Sequence, residues 1–312
     1  MLTIRRSPAH FGMEQSRWTL KLLMVAMKRW VKVTTIYGVK SVLKSLKINH
    51  KRTANHVHSP DADYDAKLAY IIEQIGNYRP TSLDGKRPCV VLFEDECTIY
   101  SKASQSYDWE LSTEEPKAEL GLQYSQSFRI AATIDIFTGK VVSMIRQKLT
   151  IASMVAFYQS LCKAYPDTDI LLIHDNWPIH YHPDMRAALV PQEMPFDVKL
   201  PKTWENIKAS NKYKKLELPI YTISLPTYAS WLNPIEKLWR VLKQDLLHKH
   251  PYSDKFNELK TNTQAYLDKF KDESLFLLNY VGLFNKDTIL GKPTQKIFQK
   301  YGLPQIWNEK YF

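Results

Sequence analysis

Residues 168–176 read TDILLIHDN, an apolar run from Ile170 to Ile173 that goes straight into His174, Asp175 and Asn176. Consecutive rather than alternating apolar positions mark a strand buried on both faces. Working outward, residues 151–164 carry the periodicity of a helix, and YTISLP (221–226) reads as a further strand. Helices follow at 234–248 and about 253–271. Upstream, CVVLFEDECTIY (89–100) is a β-rich run that begins apolar and gathers acids towards its end. SFRIAATIDIFTGKVVSMIRQ (127–147) reads as a hairpin, two alternating strands around the turn FTGK. Strands first, then alternating helix and strand, predict a mixed sheet covered by helices, an α/β layer fold. Residues 190–219, rich in Pro, Lys and polar side chains, read as an inserted loop outside that sheet.

Composition narrows the function classes. The chain has 312 residues, 44% hydrophobic and 24% charged, which excludes wholesale disorder. No apolar run approaches the roughly 18 residues of a membrane span, so no membrane partner is expected. Cys89, Cys97 and Cys162 are widely spaced, which fits a reducing compartment rather than a disulfide framework. Only nine glycines are present and none forms a phosphate-cradling loop, which argues against a nucleotide-hydrolysing motor. The expected setting is the cytoplasm, in association with the nucleoid.

The net charge of +11 is unevenly placed: the first 60 residues hold twelve Lys or Arg and one acid, Glu14, so the remainder is neutral. Such asymmetry points to a polyanion, most simply nucleic acid. Residues 14–31 read as a helix with Trp18, Leu22, Val25 and Trp30 on one face. After a break at KVTT, Thr34 or Thr35 is placed to cap a second helix. There Val39, Val42, Leu43 and Leu46 recur at buried spacing, while Lys40, Lys44, Lys47 and Lys51, followed by Arg52, occupy another face. An oily side and a lysine side on the second of two helices predict a helix-turn-helix, winged-helix-like DNA-binding domain over 1–58. HVHSPDADYD opens a linker with one helix over 59–86, and 87–312 form the second domain.

Three acids hold matching positions in this layout. Asp95 and Asp175 are placed at the ends of buried strands, and Glu236 in the first turn of a helix. In open α/β sheets functional groups collect beyond the carboxyl ends of the strands. Three carboxylates there repel one another unless a cation joins them. Oxygen donors suit Mg²⁺ or Mn²⁺, and a pair of such ions activates the attacking oxygen and stabilises the leaving one in phosphodiester displacement. Each acid also has a plainer explanation. Asp95 lies between Glu94 and Glu96, which alternation puts on the other face. Asp-Asn after a strand commonly makes an Asx turn, and Glu236 fits the far half of a capping box reaching back to the Asn233 N–H. His174, His180 and His182, with Asp184, are candidate zinc ligands, but their spacing matches no compact zinc motif.

FEDE, HDNWPIH and LPTYASWLNPIEKLW together resemble the three signature blocks of the DDE transposases of the mariner-like superfamily, in particular its bacterial insertion-sequence branch. The resemblance implies a ribonuclease-H-like catalytic domain behind the helical one. It implies Asp95, Asp175 and Glu236 as the catalytic, metal-binding triad, with Mg²⁺ or Mn²⁺ in two sites, and Glu96, Asn176, His180 and Asn233 in support. The implied partners are double-stranded DNA, as terminal inverted repeats and target, and a second copy of the chain on that DNA. The family usually carries two helical DNA-binding subdomains, of which SPAHFGMEQSRWTLKLL resembles the second. The alternative is a catalytically inactive or truncated DNA-binding remnant of the same fold.

Overall fold

The computed structural model describes residues 8–13, 18–28, 32, 35–48, 59–77, 87–104, 117–118, 120–122, 124–198, 200–204, 206–248 and 250–283. The chain divides into two compact units, Met1–Val57 and His58–Phe312.

In the first unit, helices α1 (Leu20–Met27) and α2 (Ile36–Ser45) start at threonines. The Oγ1 atoms of Thr19 and Thr35 accept from the N–H groups of Leu22 and Gly38 at 3.2 and 3.1 Å, satisfying amides that have no partner within the helix. Leu23 and Val39 are buried at the centre of the pair, against Trp18, Leu20, Met24, Met27, Val42 and Leu43. The predicted stripe on α1 is turned by one residue: Leu23 and Ala26 are buried, while Val25 is exposed. Trp18 lies ahead of the helix, where it packs without sharing the helical repeat. On α2, Leu46 is exposed because the helix ends at Ser45, before Leu46 could join the stripe. Lys40, Lys44 and Lys47 are exposed as expected. Trp30, Lys51 and Arg52 lie outside the described residues.

The second unit is built on one five-stranded sheet in the order β3-β2-β1-β4-β5, from β1 (Cys89–Tyr100), β2 (Ser127–Asp135), β3 (Val141–Arg146), β4 (Asp169–His174) and β5 (Ile220–Ser224). The first three run antiparallel, and β4 and β5 lie parallel to β1. One face packs on α3 (Tyr64–Asn77), α7 (Ile235–Leu242), α8 (Phe256–Leu267) and α9 (Leu275–Val281) through Val91, Phe93, Leu171, Ile173 and Ile223. The other packs on α4 (Ile151–Ala164) and α5 (Pro183–Ala188) through Val90, Leu92, Ile170, Leu172 and Ile220. Alternation along each strand thus divides consecutive residues between two cores.

One boundary differs from expectation. The helix assigned to a linker is a core element: Leu68, Ile71, Ile72 and Ile75 of α3 are all at most 2% exposed, and each such burial contributes about 1.5–3 kcal/mol. The insertion at 190–219 does lie outside the sheet, but it is anchored. Its Tyr213 and Leu218 enter the second core. The Gln192 amide pairs with the Thr222 N–H and hydroxyl at 2.9 and 3.2 Å, covering edge strand β5. The short helix α6 (Asn211–Lys214) lies within it. No helix among the described residues is long and apolar enough to cross a membrane.

Candidate active site

Asp95 is not at a strand end. β1 pairs with β4 only as far as Phe93, but continues against β2 to Tyr100. Asp95 therefore stands where β1 outruns its parallel neighbour, beside the point where β4 releases the chain at His174. On the α7 side of the sheet, the Trp239 indole N–H donates to Asp95 Oδ2 at 2.8 Å. Burial, then the Glu236 charge and more weakly that of Asp175, push the Asp95 carboxyl up to about 7, and the indole bond opposes them.

Glu236 comes from the first turn of α7. It does not form a capping box, because the Asn233 N–H already donates to Ser230 O. The start of α7 is set instead by the Asn233 side chain. Its Oδ1 accepts from Ile235 N at 3.3 Å, and its Nδ2 donates to the carbonyl of Glu94 at 2.8 Å. One buried amide thus ties the helix entrance to β1, one residue before Asp95. Glu236 is raised from its ordinary range, first by burial, with Lys243 opposing and Asp175 adding to the rise. The helix continues into a π-helical turn at Lys243–Leu247, an irregularity frequent near functional sites.

Asp175 does make the Asx turn, Oδ1 accepting from Trp177 N at 2.7 Å. The Asn176 amide donates to Leu225 O and accepts from the Tyr181 hydroxyl, clamping the ends of β4 and β5 together. The loop beyond β5 is held from the far end of the unit: Ser59 donates to Thr227 O, and Asp61 Oδ2 accepts from Thr227 N at 2.8 Å. Those anchors sustain Tyr228 at φ 54°, 76% exposed, a left-handed conformation that costs an L-residue roughly 1–2 kcal/mol.

On the opposite face, Glu94 and Glu96 point away from Asp95, as alternation requires. The Tyr158 hydroxyl of α4 donates to Glu94 Oε2 at 2.9 Å and lies 3.1 Å from His180 Nδ1. His180 Nε2 is 3.4 Å from Glu96 Oε1 and 3.7 Å from Asp175 Oδ1. Burial, with the neighbouring His174, holds His180 well below its usual range, which works against ion pairing in these contacts. Burial above all, followed by the neighbouring acids, raises Glu96 well above normal. Burial likewise lifts Glu94 to about 8 against the Tyr158 hydrogen bond. The three histidines do not converge as a zinc set. His174 stacks on His180, but His182 Nδ1 instead accepts from Asp184 N and its ring packs on Trp204.

Asp95, Asp175 and Glu236 thus reach one end of the sheet from three elements; the charges of Glu236 and Asp175 act on Asp95, and that of Asp175 on Glu236. Among the described residues, the tighter grouping is Glu94, Glu96 and His180, whose ligand atoms lie within 4.8 Å of one another. Glu94, Tyr158 and Trp239 were not singled out for chemistry in the sequence. Trp239 had a signal, lying three residues after Glu236 on the same helical face. Tyr158 had none, since its role exists only once α4 is laid on the sheet.

A family model described as DDE superfamily endonuclease matches residues 90–260. The Shigella sonnei protein "Insertion element IS630 uncharacterized 39 kDa protein" is 24% identical over 259 residues, covering 82% of this chain and 66% of its own length. The chain therefore spans just under two thirds of that relative. Two solved structures are similar in fold. The Mos1 transposase paired-end complex with left transposon end matches with a TM-score of 0.57 at 13% identity, over 96% of this chain and 80% of that one. The Mos1 mariner paired end complex with Mn matches with 0.57 at 12%, over 95% and 78%. At such identity the likeness is one of fold, the ribonuclease-H-like mixed sheet flanked by helices.

Proposed function

The chain belongs to the DDE superfamily endonucleases, and from that premise we propose that it is a transposase of the IS630 and mariner type, which binds the ends of its element and cuts and rejoins DNA strands. The observation that carries the reading is the approach of Asp95, Asp175 and Glu236 from β1, the β4 turn and α7 to one end of the sheet, where the Glu236 and Asp175 charges bear on Asp95 and the Asp175 charge on Glu236. The donor set is all oxygen, and burial together with neighbouring acids raises Asp95 and Glu236, which fits a hard divalent cation, Mg²⁺ or Mn²⁺, in two sites. Such ions supply Lewis-acid stabilisation of the attacking and leaving oxygens. Asp95, Asp175 and Glu236 would hold them. Trp239 aims Asp95, Asn233 sets the first turn of α7, and Asn176 and His180 hold the Asp175 turn, with Glu96 behind.

In this reading the first unit, Met1–Val57, meets the terminal inverted repeats. The exposed Lys40, Lys44 and Lys47, continued by Lys51 and Arg52, contact phosphates, and two chains on two ends form a dimer in the cytoplasm, at the nucleoid. The test is to incubate the full chain with end DNA and a target plasmid, in Mg²⁺ or in EDTA. Mg²⁺-dependent nicking at the end and joining of the 3′-OH to the plasmid are expected. Binding without any cleavage would support the inactive remnant instead.

A further inference from the structure

Three buried atoms of one cluster have no hydrogen-bond partner: Glu94 Oε1, Glu96 Oε1 and His180 Nε2. Each such group is costly to leave unsatisfied, and here they come together rather than being scattered. Glu94 is fully buried and the His180 side chain is 1% exposed. One ligand atom from each of the three residues lies within 4.8 Å of the others.

The hydrogen bonds behind the cluster decide what faces into it. The single Tyr158 hydroxyl proton goes to Glu94 Oε2. The contact between Tyr158 and His180 Nδ1 at 3.1 Å is then made by an Nδ1–H that donates to the tyrosine oxygen. That tautomer leaves the Nε2 lone pair pointing at Glu96 Oε1, 3.4 Å away. With Glu96 ionised, two acceptors face each other there, and a proton or a cation must lie between them. Donation of the other ring N–H to an oxygen acceptor is also what orients a histidine ligand in metal sites.

We propose that Glu94, Glu96 and His180 form a separate site for a transition-metal dication, on the face of the sheet opposite Asp95. Donors about 2.0–2.2 Å from a common ion stand roughly 3–3.5 Å apart, which the Nε2 to Oε1 separation of 3.4 Å already meets. Two carboxylates balance the charge of the ion, so the buried site is neutral overall. The imidazole sets its preference: Mn²⁺ or Zn²⁺ accept nitrogen, whereas Mg²⁺ prefers oxygen and keeps its waters. Asp175 Oδ1, 3.7 Å from His180 Nε2, lies at the rim, so an ion here would fasten the turn bearing Asp175 to β1. The site does not depend on DNA cleavage, and its test does not read it.

The experiment uses the full chain carrying Asp95→Asn and Glu236→Gln, with Mn²⁺ as the probe, followed by equilibrium binding and pulsed EPR. One bound Mn²⁺ per chain with ¹⁴N coupling from an imidazole is expected, because the triad offers only oxygens. A hundredfold excess of Mg²⁺ should leave it bound. His180→Gln should remove the nitrogen coupling. Tyr158→Phe, which keeps the ring in the core, should weaken Mn²⁺ about tenfold while retaining the coupling. No bound Mn²⁺, Mn²⁺ without nitrogen coupling, or coupling that survives His180→Gln would each overturn the site and leave a proton or a water joining Glu96 to His180.

Discussion

The Trp239 indole N–H donates to the Asp95 carboxylate at 2.8 Å across 144 positions of sequence. The helix that supplies Glu236 thereby also holds the acid on β1, so two members of the proposed triad share one support. Trp239→Phe keeps the packing of a residue only 3% exposed and removes that bond. A hydrogen bond to a charged group contributes about 1.5–3 kcal/mol, so the denaturation midpoint should fall by a corresponding amount with an unchanged m-value. Strand cleavage should fall by about tenfold or more. Unchanged cleavage would show that Asp95 is aimed by something else.

The Asn233 amide joins α7 to the Glu94 carbonyl inside the protein. Asn233→Ala leaves that carbonyl without a donor and Ile235 N without its side-chain acceptor. Urea unfolding should show a loss of about 2–3 kcal/mol, large for a change that deletes so few atoms.

Acidity offers a separate check. The Asp95 and Glu94 carboxyls, ordinarily at 3.8 and 4.5, rise to about 7 and about 8, with burial as the leading cause. A raised folded-state pKa means that the folded chain binds more protons than the unfolded one across this window. The associated stability is full below about pH 4 and is lost as pH rises through 7 and 8. At Asp95 a divalent cation replaces the proton, so Mg²⁺ should raise Tm more at about pH 8 than at about pH 5.5. Equal shifts at both values in thermal melts would contradict this linkage.

Lys40 and Lys44 on α2 and Lys47 just beyond its end are exposed, so replacing all three with alanine should leave the fold intact. If each meets a phosphate, the slope of log K against log salt for end DNA should become shallower by about 0.9 per lysine. An unchanged slope in fluorescence anisotropy would place the DNA elsewhere.

Much of the second unit was legible because its strands carry their burial in their own alternation. Cys89–Tyr100 and Ile151–Ala164 have the bounds that their patterns predict, and alternation correctly put Glu94 and Glu96 behind Asp95. What stayed hidden depends on partners distant in sequence. Asp95 looks like a strand end because apolar residues stop there, yet pairing with β2 carries β1 on to Tyr100. The polar stretch before α3 suggested a linker, but the core needs the apolar face of that helix. On α1, two turns of helix were too short for the repeat to choose between the Leu22 and Leu23 registers. The link of Tyr158 to Glu94 and His180 spans three elements, and no local pattern encodes it.

The central claim is that Asp95, Asp175 and Glu236 act together as metal-binding carboxylates in DNA strand cleavage. The most direct measurement is single-turnover nicking of end DNA in Mg²⁺ by the wild type and by Asp95→Asn, Asp175→Asn and Glu236→Gln, with DNA affinity measured alongside. The account predicts that each variant binds end DNA within about twofold of wild type and loses at least about 100-fold in rate. Wild-type nicking by any one of the three would contradict it.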